Sequence, residues 1–344
     1  MAKRSPLKIP LTAERLLASM DPGYRVLKVI RDKDPRLVVH VRLQGRECLL
    51  KVLKESFPWK RPGRHLRFQK EIFIYSMLQH ICFSRFRYPK LLNTDNKNYI
   101  LTEFIINNSA NRQDQVFYTS AMNAVLEFNT CDFPFHEKSC AGWIWEKTNR
   151  WKFSRSAKTL RNLLEGSLVK GKLSFLLLIK IIGFWRRAIT YTPALKKPLL
   201  VHRDIFKANI LYPKPGKIYF VDFEKAGLEK RWLFIDALKI AQAEPLFFNR
   251  RAGRLSGFPR FYACLLQKYW KGLITRRPEI SPEYNQFILQ LKFCLIGWCL
   301  KKLFKEDSDP ERSAALIRFL QEVITGPEHY FEYWFEGLPR LPKP

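Results

Sequence analysis

The sequence predicts an α+β fold of two lobes, in which a small antiparallel sheet precedes a larger, mainly helical part. The chain has 344 residues, enough for two domains or one two-lobed protein. Short runs of apolar and β-branched residues fill its beginning, whereas everything beyond Ala237 shows helical periodicity interrupted by proline and glycine. Hydrophobic residues make up 47% of the chain, so a large core can form and general disorder is excluded.

Residues 24–53 are predicted to form an antiparallel meander. The strand-like runs YRVLKVI, RLVVHVRL and RECLLKVL are separated by the turn residues RDKDP and QG. A helix-like run, EIFIYSMLQHI, comes next, and YPKLLN and NYILTEFI predict two further strands. These segments together predict an N-terminal sheet with one helix after its third strand.

Helical periodicity dominates the second half of the chain. Residues 111–129, Lys172–Tyr191 and three later runs are predicted helices, the last opened by Asp309-Pro310-Glu311. The most apolar stretch, LSFLLLIKIIGFW, has about 13 residues, whereas a bilayer span needs about 20. It predicts a buried central helix and no integral membrane segment. The basic start has no apolar region typical of a secretory signal. The seven cysteines are scattered, none forms a C-x-x-C pair, and they indicate reduced thiols, so we expect a cytoplasmic protein.

The chain is strongly basic. Its 61 Lys and Arg residues against 31 Asp and Glu residues give a net charge of +30, which favours an anionic partner. Nucleic acid, phosphorylated small molecules and an anionic membrane face all fit. Because the basic residues are spread through every segment and no RNA-binding signature is present, the sequence disfavours nucleic acid.

One segment, LVHRDIFKANILYPKPGKIYFVDFEKAG, carries the residues with catalytic character. It contains Asp204, then Asn209, then Asp222 in a Val-Asp-Phe-Glu run. The strand-like runs ILY and KIYFVDF are joined by the turn signal PKPG, so a hairpin would return Asp222 to the side of Asn209 and Asp204. Phosphoryl transfer from ATP needs such a set: one carboxylate accepts the proton of the attacking hydroxyl, and an amide oxygen and a second carboxylate hold Mg²⁺.

The pattern H-R-D-x-x-x-x-N followed by D-F resembles the catalytic and metal loops of the protein-kinase-like superfamily. The continuation D-F-E-x-A-G, with Asp236 in FIDALKIA, is more similar to the aminoglycoside phosphotransferase branch than to protein kinases. The resemblance implies that Asp204 is the catalytic base and that Asn209 and Asp222 hold Mg²⁺. It also implies that His202 packs under the loop as structural support and that the Asp236 carboxylate accepts hydrogen bonds from the loop backbone.

The resemblance extends to the N-terminal sheet. It implies that Lys51, in CLLKVL, binds the α- and β-phosphates of ATP, and that Glu71 on the following helix orients Lys51. It also implies that backbone groups near Glu103 and Ile105, in ILTEFI, bond the adenine. The expected domains are an N-terminal extension (1–23), a nucleotide-binding N-lobe (24–107), and a C-lobe (108–344) with the catalytic loop, metal loop and acceptor site.

Several positions depart from the family pattern. No G-x-G-x-x-G run precedes Lys51, and D-F-E replaces D-F-G, so a protein kinase is disfavoured. Arg203 stands where the phosphotransferase branch usually has glycine, and it either pairs with a carboxylate or is solvated. Phe206 replaces the His or Lys often found two positions after the catalytic aspartate, which leaves Lys207 as a candidate phosphate contact.

The predicted function is that of an ATP- and Mg²⁺-dependent kinase acting on a hydroxyl of a small-molecule or sugar/glycolipid acceptor. One alternative is a lipopolysaccharide core kinase at the inner membrane face, because the basic runs KESFPWKRPGRHLRFQKE and KRW are similar to that group. Another is a catalytically degenerate kinase-fold protein that binds polyanions such as nucleic acid.

Two basic segments predict peripheral contact with an anionic membrane. Residues 54–70 contain six Lys and Arg residues, and residues 143–161 interleave basic side chains with three tryptophans. The tryptophans also suit a platform for sugar rings. The alternative for the second segment is an ordinary helix with a solvated basic face.

Overall fold

The protein is described by a computed structural model in which the chain forms two compact units. The first comprises Met1–Phe117, Asp132–Thr148 and Ala208–Ala226, and the second comprises Tyr118–Cys131, Asn149–Lys207 and Gly227–Pro344. The structure describes residues 11–33, 36–54, 62–107, 115–132, 173–191, 199–205, 207–229, 233–241, 260–279, 289, 292, 296–297, 299–300, 303 and 310–325.

A five-stranded antiparallel sheet organises the first unit. Its order is β1-β2-β3-β6-β5, with helix α1 (Leu11–Met20) before the first strand and helix α2 (Pro62–Leu78) after the third. The strands are β1 (Arg25–Lys33), β2 (Arg36–Leu43), β3 (Arg46–Leu53), β5 (Leu91–Thr94) and β6 (Tyr99–Glu103). The predicted meander, the helix after the third strand and the two later strands are therefore confirmed. Two boundaries differ: β1 continues through Arg31–Lys33, which were predicted as a turn, and α2 begins at Pro62, within the basic stretch that was expected to precede it.

One face of this sheet is apolar and carries the core of the first unit. Alternate residues of β2 and β3, such as Val39 and Leu50, are fully buried together with Ala13 and Leu17 of α1. Helix α1 was not predicted from the sequence, although the apolar positions of LTAERLLASM recur three and four residues apart, the spacing of one helix face. The alternating pattern leaves the other residues of β2 and β3, including Arg36 and Lys51, on the opposite face of the sheet.

A second, three-stranded sheet of the first unit contains the predicted hairpin. Strands β8 (Ile210–Lys214) and β9 (Lys217–Phe220) pair antiparallel, and β4 (Phe86–Arg87) pairs parallel to β9. Gly216, with φ of 76°, lies in the PKPG turn, where a left-handed backbone conformation favours glycine. Phe86 and Phe220 pack with ring centroids 4.9 Å apart.

The second unit is mainly helical in its described part. It holds most of α3 (Gln115–Thr130), together with α4 (Phe175–Tyr191), α5 (Ile235–Ala241), α6 (Arg260–Arg276) and α7 (Pro310–Thr325). A two-stranded antiparallel sheet pairs β7 (Leu199–Val201) with β10 (Gly227–Glu229). Helix α7 packs against α4, and α5 packs against α6. A Cβ added at Gly272 of α6 would overlap the Leu126 side chain of α3, so these helices approach closely there.

Helix α4 differs in part from its prediction. Leu177, Ile181 and Phe184 are buried, but Phe175 and Leu176 are exposed, so the expected burial is correct for one face of the helix only. Among the described helices, none is both long enough and apolar enough to cross a membrane. The Trp-rich segment and residues 55–61 lie outside the described residues.

Candidate active site

The first unit contains a cluster of charged side chains centred on Lys51. Its ammonium nitrogen Nζ lies 2.6 Å from Glu71 Oε2 and 2.9 Å from Asp222 Oδ1. Lys51 comes from β3, Glu71 from α2, and Asp222 from the segment that follows β9. The structure thus brings together three residues that the sequence predicted to act together, although they are far apart along the chain.

The strand register explains why Lys51 faces these acids. Val38 of β2 and Ile100 of β6 lie directly opposite Lys51 in the sheet. The neighbours of Lys51 along β3, Leu50 and Val52, point into the apolar core. Because side chains alternate along a strand, Lys51 must leave the sheet on the other face, where α2 supplies Glu71.

Arg36, a second cation of this cluster, was not predicted from the sequence. Arg36 begins β2, its side chain is 9% exposed, and its guanidinium forms an ion pair with Glu224. Its Nη1 atom is also 4.0 Å from Asp222 Oδ1. Glu224 is the acid of D-F-E, so the residue that replaces the protein-kinase glycine has a structural partner. Arg36 belongs to no sequence motif, so the pair of Arg36 and Glu224 is recognised only in the folded structure.

Burial controls the ionisation of the cluster. Burial raises the pKa of Glu71 to about 7, and the Lys51 ammonium opposes this rise only in part. For Lys51, burial alone would lower the pKa, but the carboxylates of Glu71 and Asp222 outweigh it and the pKa is raised. Lys51 therefore keeps its positive charge at neutral pH.

Asp222 is held in an unusual backbone conformation. Its φ of 64° and ψ of 59° are left-handed, which costs a non-glycine residue about 1–2 kcal/mol. A short 3₁₀ turn, Phe223–Lys225, follows, and the buried Phe223 ring packs edge-on against Tyr75, 5.1 Å between centroids. The Val221 amide donates a hydrogen bond to the Asn209 carbonyl, 3.1 Å away. The hairpin therefore brings Asn209 and the residue before Asp222 to its same end.

The donor chemistry of Asn209 and Asp222 fits Mg²⁺. Both offer oxygen atoms, and Mg²⁺ commonly takes one or two protein oxygens and completes its shell with phosphates and water. Within the described ranges, no three His, Cys, Asp or Glu side chains converge on one metal position. A site here would accordingly depend on the phosphates of a bound nucleotide.

Glu103 and Ile105 lie at the end of β6 and just after it. The Glu103 amide donates to the Lys90 carbonyl at 2.9 Å, and the Phe104 amide donates to the Glu47 carbonyl at 3.3 Å. The Phe104 ring also stacks on His40 of β2, with centroids 3.6 Å apart. An adenine bound at this edge would therefore use backbone groups other than these two amides.

The second unit contains the loop of Asp204, which is held by the carboxylate of Asp236. Asp236, on α5, accepts hydrogen bonds from the backbone amides of His202 at 2.6 Å and Arg203 at 2.8 Å. His202 is fully buried, with its ring 6.3 Å from that of Phe128. The contacts of Asp236 are those the sequence predicted, and the part that both residues play in activity stays a prediction.

Two further residues extend the support of this loop. Asn129 of α3 donates through Nδ2 to Asp236 Oδ2 at 3.1 Å and to the Leu200 carbonyl at 2.7 Å. The Tyr269 hydroxyl of α6 lies 2.8 Å from Asn129 Oδ1 and 2.9 Å from the Leu233 carbonyl. Neither residue belongs to a sequence motif, because their roles arise only when three helices meet.

Arg203 pairs with a carboxylate, which decides between the two predicted alternatives. Its Nη2 atom donates to the Leu228 carbonyl at 2.7 Å and lies 3.4 Å from Glu229 Oε2. Its φ of 62° is left-handed, the conformation that the glycine usual at this position adopts easily. The side-chain contacts and the Asp236 bond hold arginine in this conformation. Phe206 and the side chain of Lys207 lie outside what the structure describes.

Comparisons with known proteins identify the fold of the chain. No protein-family model and no curated protein sequence matches the chain. The structure of the streptomycin–ATP complex of APH(2")-IIa matches with a TM-score of 0.55 at 13% identity, covering 91% of this chain and 99% of that one.

Two other solved structures agree with this match. An aminoglycoside phosphotransferase from Alicyclobacillus acidocaldarius gives a TM-score of 0.52 at 17% identity, covering 98% of both chains. A microcompartment-associated aminopropanol kinase gives 0.50 at 11% identity, covering 94% of this chain and 98% of that one. The chain therefore has the protein-kinase-like fold of the aminoglycoside phosphotransferases, as the resemblance implied.

Proposed function

We propose that this protein is an ATP- and Mg²⁺-dependent kinase that phosphorylates a hydroxyl group of a small molecule or sugar-containing acceptor. The observation that carries the proposal is the Lys51 cluster, in which one buried lysine contacts Glu71 and Asp222. Its position in a fold shared with solved phosphotransferases supports the proposal. We also propose that the sheet unit binds the nucleotide and that the helical unit carries the acceptor site.

The reaction assigns one task to each group. The acceptor oxygen forms a bond to the γ-phosphorus, the bond from that phosphorus to the bridging oxygen breaks, and ADP leaves. Asp204 accepts the proton of the acceptor hydroxyl. Lys51 binds the α- and β-phosphates while Glu71 orients it, and backbone groups near Glu103 and Ile105 hold the adenine. Mg²⁺ held by Asn209 and Asp222 would neutralise phosphate charge.

The neighbours and the net charge favour different classes of acceptor. The neighbours include complexes with the aminoglycosides gentamicin and streptomycin, and a kinase for aminopropanol. Each of these compounds is an amino alcohol. A net charge of +30, however, repels polycationic substrates and attracts anionic ones. This charge favours a second candidate, a phosphorylated glycolipid acceptor such as a lipopolysaccharide core fragment at the inner membrane face.

An ADP-release screen tests the proposal. Purified protein with Mg²⁺ and ATP is offered aminoglycosides, choline-like alcohols, free sugars and lipopolysaccharide core fragments, and ADP formation is measured with each. We expect acceptor-dependent release that falls at least 1,000-fold in Asp204→Ala, while ADP binding by calorimetry changes little.

Two outcomes would contradict this proposal. Full activity in Asp204→Ala would contradict the assignment of Asp204 as the catalytic base. No ADP release with any acceptor, together with salt-dependent binding of arbitrary RNA, would instead favour a degenerate kinase fold that binds polyanions.

A further inference from the structure

Lys239 contacts the loop of the proposed catalytic base from a different part of the chain. Its ammonium donates a hydrogen bond to the Arg203 carbonyl and lies 3.7 Å from Asp204 Oδ1. Lys239 belongs to helix α5, and both it and Asp204 are in the helical unit. The Lys239 side chain is 30% exposed and that of Asp204 is 16% exposed, so solvent reaches both groups.

Helix geometry explains why two side chains of α5 contact the loop that precedes Asp204. Asp236 and Lys239 are three positions apart and therefore lie on the same helix face. Asp236 accepts the hydrogen bond of the Arg203 amide, while Lys239 donates to the Arg203 carbonyl. The two side chains thus hold both backbone polar groups of the residue that precedes Asp204.

This position matters because the loop lacks a cation of its own where the family resemblance leads one to expect it. Phe206 occupies the position two residues after Asp204, where a His or Lys is often found. Along the sequence, Lys207 is the candidate cation in its place. Lys239, on helix α5, places its positive charge beside Asp204. The residue spacing within the catalytic segment does not reveal this contact.

We propose that Lys239 is a catalytic residue that binds the phosphoryl group during its transfer to the acceptor. The inference rests on the proposed function, since it takes Asp204 as the base. A base must lie about 2.6–3.2 Å from the hydroxyl oxygen whose proton it accepts. The phosphorus bonds to that same oxygen, so the oxygens of the phosphoryl group pass within a few ångströms of an ammonium beside Asp204. A lysine acts there as a point charge on the phosphate.

Activity separates this role from mere support of the loop. In Lys239→Gln we expect kcat for ADP release to fall about 100-fold or more, the cost of losing one preorganised donor, while KM for ATP changes less than about threefold. Lys239→Arg keeps the charge and recovers a substantial part of kcat. Lys180→Gln, which removes an exposed lysine of α4 in the same unit, serves as the matched control and retains wild-type kcat.

A binding measurement provides a second readout. Calorimetry compares ADP with Mg²⁺ alone against ADP with Mg²⁺ and aluminium fluoride, a mimic of the phosphoryl group in transfer. The wild type should bind the second mixture more tightly, and Lys239→Gln should lose at least about tenfold of that gain with its affinity for ADP unchanged. Thermal unfolding of both variants checks that the fold is intact.

The outcomes separate the inference from the proposed function. Wild-type kcat and a wild-type fluoride gain in Lys239→Gln would overturn the inference alone. An equal loss of affinity for both mixtures would assign Lys239 a structural role and overturn it as well. If the wild-type protein releases no ADP with any acceptor, the proposed function fails and the inference falls with it.

Discussion

At the scale of single residues, Glu71 shows burial and pairing acting in opposite directions. Its side chain is 2% exposed and contacts Lys51, yet its pKa is raised to about 7 from an ordinary value of 4.5. Between these two pH values the folded protein holds a proton that the unfolded chain releases. Protonation of Glu71 therefore stabilises the fold fully below pH 4.5, and this contribution is lost as the pH rises through 7.

Glu71→Gln removes this titration. Between pH 5 and pH 8 the free energy of unfolding of the wild type should fall relative to that of the variant by up to about 3 kcal/mol, the linkage expected for a shift of this size. Urea unfolding of both proteins at matched ionic strength measures the difference. Parallel curves for the two proteins would show that Glu71 titrates as it does in water.

Residues of this kind also mark how far the sequence could predict the candidate site. Asp222 was predicted from a spaced motif, whereas Lys51 and Glu71 were predicted from the family resemblance, which expects a lysine on the third strand and a glutamate on the next helix. The structure brings the three together. Arg36 and Lys239 belong to no motif. Arg36 reaches the Lys51 cluster of the first unit from the start of a strand, and Lys239 reaches the Asp204 loop of the second unit from a short helix. Only tertiary structure determines these placements.

At the scale of elements, the helical unit depends on polar contacts between helices as well as on apolar packing. Asp236 of α5 bonds Asn129 of α3, and Asn129 lies within hydrogen-bond distance of Tyr269 of α6. All three residues are buried. Burial raises the pKa of Tyr269 well above its ordinary value, and the nearby Asp236 carboxylate acts in the same direction, so the hydroxyl stays protonated as a donor.

Asp236→Ala is predicted to destabilise the helical unit by about 3–5 kcal/mol. The change leaves the amides of His202 and Arg203 without their acceptor inside the protein, and it breaks the bond to Asn129. Tyr269→Phe, which removes one hydroxyl of the same network, should cost only about 1–2 kcal/mol. Chemical unfolding monitored by circular dichroism ranks the two variants. Equal losses in both would contradict the central role given to Asp236.

The elements themselves were predictable to different degrees. The meander and the β8–β9 hairpin followed from alternation and turn residues, which are local properties of the chain. Helix α1 was missed because its basic surroundings suggested an extension rather than part of a core. The predicted helix over 111–129 corresponds to α3 (Gln115–Thr130), and residues 111–114 lie outside the part of the chain that the structure describes.

At the scale of the whole molecule, the net charge of +30 is the property least explained by the fold. A kinase needs few cations to bind ATP. The remaining basic residues suit a surface with negative charge, and a membrane leaflet rich in anionic lipid provides one. We therefore propose that the protein makes peripheral contact with an anionic membrane.

Vesicle co-sedimentation tests that proposal. We expect binding to vesicles containing anionic lipid at low salt, weaker binding at physiological salt because of screening, and little binding to neutral vesicles. Protein alone, spun under the same conditions, controls for aggregation. Equally weak binding to both lipid types would contradict the proposal and indicate that the positive charge binds another anionic partner.

The interleaving of the two units has a consequence for synthesis on the ribosome. The sheet unit includes Ala208–Ala226, so Lys51 and Glu71 emerge long before Asp222 is made. At translation rates of about 5–20 residues per second, the wait is on the order of ten seconds or more. For that time the nascent chain contains Lys51 and Glu71 without Asp222, so the Lys51 cluster is incomplete. We therefore expect fragments that end before the hairpin to fold less stably than the full chain.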